Sequence, residues 1–242
     1  MPNLKDSLYL LHHPRKGEDL ISISNFKHIA QQRLIIEELA AHQLSLLRIK
    51  ARRKTQESSI FSIHDNLPSQ LMKSLDFKLT SAQLRCIGEI NQDMSSSQPM
   101  LRLLQGDVGS GKTIVAVFTL LQAVGNNFQT AIMAPTEILA QQHLQSFTSY
   151  LGHLGIKVAF LSGSQNTEER RIQINFIASG EAQVVIGTHA LFQESVSFNN
   201  LGLVIIDEQH KFGVHQRLSL TQKAKKIPHQ LVMTATPIPR SL

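Results

Sequence analysis

Residues 100–113 read MLRLLQGDVGSGKT, and their reading decides the fold. Apolar Leu101, Leu103 and Leu104 form a short strand-like run. From Gly106 the spacing is one glycine, four residues (Asp107, Val108, Gly109, Ser110), then Gly111-Lys112-Thr113, the full pattern of a phosphate-binding loop joining a strand to a helix. Glycine is needed because the backbone curls with its N–H groups pointing inward, in conformations that a Cβ obstructs. In this pattern Lys112 reaches the β- and γ-phosphates and the Thr113 hydroxyl reaches Mg²⁺. The apolar stretch 114–121 continues as a helix whose N-terminal dipole favours the same anion.

Downstream of the loop, apolar runs alternate with helical patterns. Candidate strands are residues 129–134 (QTAIMA), 157–161 (KVAFL), 183–186 (QVVI), 203–206 (LVII) and 230–233 (QLVM). Helical patterns occupy 137–150 and 168–178, with a less regular stretch at 218–225. Strands that are continuously apolar, each followed by a helix, predict a parallel sheet covered by helices on both faces. In such sheets ligands gather at the carboxyl ends of the strands. The polar motifs of this chain follow the last apolar residue of each run.

Upstream, residues 1–25 show no sustained period and read as extended or irregular. Residues 26–54 lack proline and glycine, and place Phe26, Ile29, Ala30, Leu34, Ile36, Leu39 and Ala40 at helical spacing, with Ser24 or Asn25 as candidate cap. Residues 55–65 (TQESSIFSIHD) read as a linker or mobile loop, and 67–75 as a short helix introduced by Pro68. Thr80 followed by Gln83 is a capping-box pattern for a helix ending near Met94. A loop at 94–99 then leads into the glycine-rich stretch.

Composition narrows the class. With 42% hydrophobic and 17% charged residues in 242, the chain reads as an ordinary globular protein. No run approaches the ~18 uninterrupted apolar residues of a membrane span. The first twenty residues are too charged for a secretory signal, and the single cysteine, Cys86, fits a reducing compartment, so the expected location is cytoplasmic. A net charge of +6 suits a polyanionic partner, and residues 48–54 (RIKARRK) carry five of the basic side chains. That run reads equally as a solvated helix end, where cations complement the helix dipole.

Two further motifs carry chemistry. LVIIDEQH (203–210) ends an apolar strand in an acidic pair. Alone, Asp207-Glu208 would read as a helix cap. Downstream of a phosphate loop, Asp207 can hold the Mg²⁺ bound by Thr113, and Glu208 can polarise the attacking water. This reading sets the loop before Lys112 and the tip at Asp207 on adjacent strand ends, facing one Mg²⁺-triphosphate. MTATP (233–237) puts two small hydroxyl residues at a strand end, where they can hydrogen-bond neighbouring carboxylates; by composition it is only a turn.

Gln83, GDVGSGKT, APTE (134–137), GTH (187–189), DEQH (207–210) and TAT (234–236), in that order, resemble the motifs of superfamily 2 helicases. More narrowly, PMLRLLQGDVGSGKT, MAPTEILAQQH, GTHALFQE, LGLVIIDEQHKFGV and MTATPIPR are similar to the RecG family of bacterial ATP-dependent DNA helicases. The detailed resemblance runs over residues 77–242. A weaker one covers the long helix, which is similar to the segment joining a wedge domain to the motor. Transcription-repair coupling translocases share much of the pattern but usually differ in the loop's central residue and at Gln209.

The resemblance implies an α/β P-loop NTPase (RecA-like) fold, a parallel sheet with helices on both faces, preceded by a helical linker segment. Residues 1–76 would be that linker and 77–242 the first motor lobe. ATP and Mg²⁺ are the implied cofactors. Lys112, Asp207 and Glu208 would be catalytic, and Phe77 and Gln83 would contact adenine, although Gln83 also reads as the capping partner of Thr80. Pro135, Thr136, Gly163, Thr188 and His189 would line the track of a DNA backbone. Gln209, His210, Thr234 and Thr236 would couple hydrolysis to movement. Branched or duplex DNA such as stalled forks and Holliday junctions, and a second lobe and wedge domain of the same protein, are the implied partners. Neither Arg217 nor Arg240 matches the second lobe's arginine finger, so this chain is expected to be a piece of a larger protein that hydrolyses ATP poorly alone. A stand-alone P-loop NTPase is the alternative, as is a scaffold with a vestigial site.

Overall fold

The computed structural model describes residues 1–14, 17, 19–54, 56–208, 211, 212, 220 and 223–235, with the backbone alone at 49, 50 and 52–54. Two compact units make up the chain, Met1–Thr55 and Gln56–Leu242. Among the described residues no helix is long and apolar enough to cross a membrane.

The described elements of the first unit are all helices, two of them before residue 26, which corrects the expectation of irregular structure there. Helix α1 (Leu4–His12) is capped by Asn3, whose side chain accepts from the Lys5 amide. Helix α2 (Leu20–Ser24) is capped by Asp19, and the hydrogen bonds from Ser22 hold that carboxyl below its usual range. The long helix α3 spans Ile29–Lys54. It does not start from Ser24 or Asn25, because Asn25 closes α2 and Phe26 turns the chain through a left-handed conformation (φ 57°). The amide of Ala30 instead donates to His28 Nδ1 at 3.2 Å. Helix α1 packs along α3, where Ser7 and Ala30 are buried. Short helices with a small buried face leave little periodic trace, which is why α1 and α2 are hard to read from sequence.

The second unit is a six-stranded sheet, all pairs parallel, in the order β1-β6-β5-β2-β4-β3. Its strands are β1 (Leu101–Gln105), β2 (Gln129–Met133), β3 (Val158–Leu161), β4 (Val184–Gly187), β5 (Leu201–Asp207) and β6 (His229–Thr234). β2 and β4 are buried at every residue and β5 at every residue but Asp207, as expected of strands covered on both faces. Alternate residues feed two cores. Ile132, Ile186, Leu203 and Ile205 face α4 (Asn66–Ser74), α5 (Ser81–Met94), α6 (Lys112–Gly125) and α7 (Glu137–Leu151). Ala131, Met133, Val204 and Ile206 face α8 (Thr167–Ala178) and the 3₁₀ turn His189–Phe192. Helix α6 is buried from Ile114 to Val124, so the phosphate loop ends on the most enclosed helix of the unit.

This unit begins at Gln56 rather than at Phe77, a correction to the expected boundary and to the reading of 55–65 as a free linker. Phe61 is 2% exposed and stacks on Phe128 with ring centroids 4.8 Å apart. Gln122 of α6 pairs with the backbone of His64 through both its amide groups, and Asn126 does the same for Ser62. Ser58 Oγ donates to Ile227 O, and His229 bridges Met100 N and Ser59 O, tying the segment to the amino ends of β1 and β6. Side chains from distant parts of the chain satisfy a polar backbone that looks solvated when read alone.

Candidate active site

The phosphate loop connects β1 to α6 and has the shape that its glycines predict. Gly109 (φ 81°) and Gly111 (φ 83°) are left-handed. A Cβ on Gly106 would stand 2.7 Å from Ser110 Oγ, and one on Gly111 only 2.2 Å from Gln83 Nε2. Gly111 is also the N-cap of α6, so no side chain caps the first turn and its N–H groups remain for a ligand. Lys112 Nζ donates to the carbonyls of Gly106 and Asp107 at 2.7 and 2.8 Å, which sets its charge across the mouth of the loop. Val108 at the tip is exposed, and Thr113 is half-buried one residue inside the helix.

Gln83 takes the place of capping partner and also reaches the loop. Its Oε1 accepts from the Thr80 amide to complete the capping box of α5, while Nε2 donates to Ser110 O at 3.1 Å. Phe77 is placed differently. It lines a cavity of about 290 Å³ with Leu75, Asp76 and the C-terminal turn of α7, Ser149 and Tyr150.

Asp207 and Glu208 stand at the carboxyl end of β5, two strands from the loop. The expectation of adjacent strand ends is therefore corrected, since β6 lies between β1 and β5. At ~4.8 Å per strand spacing the two ends are roughly 10 Å apart, a gap that a hydroxyl, a carboxylate and a phosphate-bound cation can span. Both are tied to β6. Gly106 N donates to Thr234 O at 3.3 Å and Glu208 N to Met233 O at 2.9 Å. Thr234 Oγ1 and Ala235 N both donate to the Glu208 carboxylate, at 3.0 and 3.2 Å. Glu208 itself is left-handed (φ 50°), an uncommon conformation for a residue with a side chain that recurs where function demands it. Gln209, His210 and Thr236 lie outside the described residues.

Asp207 has a partner that sequence reading did not single out. His143 Nε2 lies 2.8 Å from Asp207 Oδ2, with the two side chains 12% and 14% exposed. His143 shares a face of α7 with Ala140, Phe147 and Leu151, all fully buried. A polar ring on a buried helical stripe was the available signal, since burial obliges it to find a partner.

Residues at the carboxyl ends of β2, β4 and β3 gather in the other half of the same sheet edge. Pro135 and Thr136 follow β2, and Thr136 caps α7 through the Leu139 amide. Glu137 Oε1 accepts from Ser164 N at 2.9 Å, and those hydrogen bonds, aided by the charge of nearby His189, hold its carboxyl below its usual range. A Cβ on Gly163 would stand 3.4 Å from Glu137 Oε1 and 3.6 Å from His189 Cε1, so these three residues adjoin. Thr188 is buried with no hydrogen-bond partner for Oγ1, while His189 beside it is exposed.

The cradle fits a nucleotide phosphate, because Gly109 and Gly111 hold left-handed conformations that turn the loop backbone inward and the helix start is uncapped. It fits Mg²⁺ as well. Among the described residues no three His, Cys, Asp or Glu side chains form a metal cluster, whereas one hydroxyl and one carboxylate beside bound phosphates suit this cation.

Comparison with known proteins agrees with this architecture. ATP-dependent DNA helicase RecG of Escherichia coli strain K12 is 49% identical over 245 residues, covering 100% of this chain and 35% of the relative. RecG of Aquifex aeolicus is 45% identical, covering 100% of the chain and 30% of the relative. The chain thus spans about a third of the length of these relatives. A solved structure of RecG bound to a three-way DNA junction superimposes with a TM-score of 0.76 at 46% identity, covering 88% of this chain and 28% of the other. A DEAD/DEAH box helicase profile matches residues 80–242, from the cap of α5 onward through every strand of the sheet. The chain therefore belongs to the DEAD/DEAH box helicase family.

Proposed function

We propose that this chain is the ATP-binding lobe of a cytoplasmic DNA motor of the RecG type, which remodels stalled forks and Holliday junctions. The observation that carries the proposal is the arrangement around β6. The glycine loop and the acidic tip flank one strand, and the end of that strand hydrogen-bonds to both. A structure of this kind registers nucleotide at one loop and passes the change to Thr234 and Ala235.

In this reading Lys112 leaves the Gly106 and Asp107 carbonyls for the β- and γ-phosphates, and the N–H groups of the loop and of α6 hold the remaining oxygens. Thr113 and Asp207 would hold Mg²⁺, which would supply charge neutralisation for the bound phosphates. Glu208 orients and polarises the attacking water, its carboxylate aimed by Thr234 and Ala235. Gln83 reads the edge of adenine and Phe77 packs near the base. Pro135, Thr136, Gly163, Thr188 and His189 follow a DNA backbone across the other half of the edge. Gln209, His210 and Thr236 join Thr234 in coupling hydrolysis to motion. The helical first unit is the end of a linker from a wedge domain, and a second RecA-like lobe supplies the arginine finger, worth ~10³–10⁵ in rate.

The test has two arms. Lys112→Ala should abolish binding of a fluorescent ATP analogue to this chain while leaving its thermal melt unchanged. DNA-stimulated hydrolysis and strand separation should appear only when a second lobe is joined to it. Full-rate, DNA-independent turnover by the 242 residues alone would refute the motor reading in favour of a self-sufficient NTPase.

A further inference from the structure

We propose that His143 is a positioning residue for the metal site, fixing the Asp207 carboxylate through Oδ2 so that its other oxygen is presented to Mg²⁺. The inference rests on the reading of Asp207 as a Mg²⁺ ligand and extends it to a residue on a different element, the helix that follows β2.

Three observations carry it. The contact is short, 2.8 Å from His143 Nε2 to Asp207 Oδ2, and little of either side chain is exposed, which strengthens a charge-assisted hydrogen bond. The imidazole is held in place, because the ring of Phe147, fully buried one turn further along α7, meets it edge-on at 5.9 Å and 66°. The carboxylate sits on the last residue of β5, where the strand ladder fixes the backbone and His143 is the side-chain partner that orients the carboxyl group. A Mg²⁺ site demands near-octahedral geometry and tolerates little ligand rotation. His143 limits that rotation by occupying one oxygen. Partners of metal ligands commonly change metal affinity by 10–100-fold when removed.

The competing role is purely structural, a polar staple holding α7 to the sheet. The two are separated by following Mg²⁺ rather than activity. The 242-residue chain is titrated with Mg²⁺ in the presence of a fluorescent ATP analogue, and analogue binding is measured again in EDTA. His143→Phe keeps a ring against Phe147 but has no donor, and His143→Gln keeps a donor. The Phe variant should raise the Mg²⁺ midpoint by about tenfold, with binding in EDTA unchanged, and the Gln variant should return it to within about threefold of the parent. His143→Leu, also without a donor, serves if phenylalanine fails to fold. A midpoint shifted less than about threefold in the donor-free variants overturns the proposal. So does an equal shift for Gln and Phe, or an equal loss of affinity in EDTA. Asp207→Asn is run alongside. If it leaves the midpoint unmoved, the reading of Asp207 as a ligand has failed; if it moves the midpoint and His143→Phe does not, only the positioning role has failed.

Discussion

Replacing Gly111 by alanine perturbs the phosphate loop at the residue where two constraints meet. Its φ of 83° is left-handed, which costs an L-residue about 1–2 kcal/mol. The new methyl would stand 2.2 Å from Gln83 Nε2. That overlap is relieved cheaply, because the amide is the far end of a flexible side chain. The loss is what the amide gives up: its hydrogen bond to Ser110 O, and the alignment of Oε1 on the Thr80 amide that closes the capping box. These exposed contacts add roughly 0.5–1.5 kcal/mol. Gly111→Ala should therefore destabilise the second unit by about 1.5–3.5 kcal/mol, read by urea unfolding. The decisive measurement is a double-mutant cycle with Gln83→Ala. With the side chain already removed, alanine at 111 meets only the backbone penalty, so the double variant should fall short of additivity by about 0.5–1.5 kcal/mol. Additivity within about 0.3 kcal/mol would refute the argument that Gln83 seats the loop.

Two further predictions concern the segment before α4 and its anchor. Phe61→Ala should cost the second unit about 3–5 kcal/mol in chemical denaturation, whereas a side chain in a free linker would cost nearly nothing. His229 is fully buried, and burial pushes its imidazole below the ordinary value of 6.5, against a weaker upward pull from its bond to Ser59 O. Neutral His229 is therefore the folded form, and its contribution is complete above about pH 6.5 and lost as pH falls from there towards the lower folded value. Melting curves between pH 8 and 5 should show this decline in the parent and a flatter profile in His229→Gln.

Much of the site was legible because it is written in consecutive residues. The glycine spacing at 106–113, the acidic pair at 207–208 and the capping box at Thr80 and Gln83 are local chemistry, and strand and helix identity follows from local periodicity. Contacts between segments are not written that way. Asp207 and the loop lie two strands apart rather than side by side because β6, the last of the described strands, inserts between them, and no local pattern encodes insertion order. His143 is paired with a residue 64 positions away, and Phe61 with residues from α6 onward. Each reads as an ordinary polar or loop residue until the sheet brings its partner near.

The amino-acid sequence by itself determined the parallel α/β class, the phosphate cradle and the carboxylates at the strand ends. These depend on backbone conformations and burial patterns that neighbouring residues impose on one another. The tertiary structure alone decided which strand separates the loop from Asp207, that His143 holds that carboxylate, and that residues 56–76 belong to the second unit. Those outcomes depend on which buried polar groups can satisfy each other across the whole sheet, a question that only the packed chain answers.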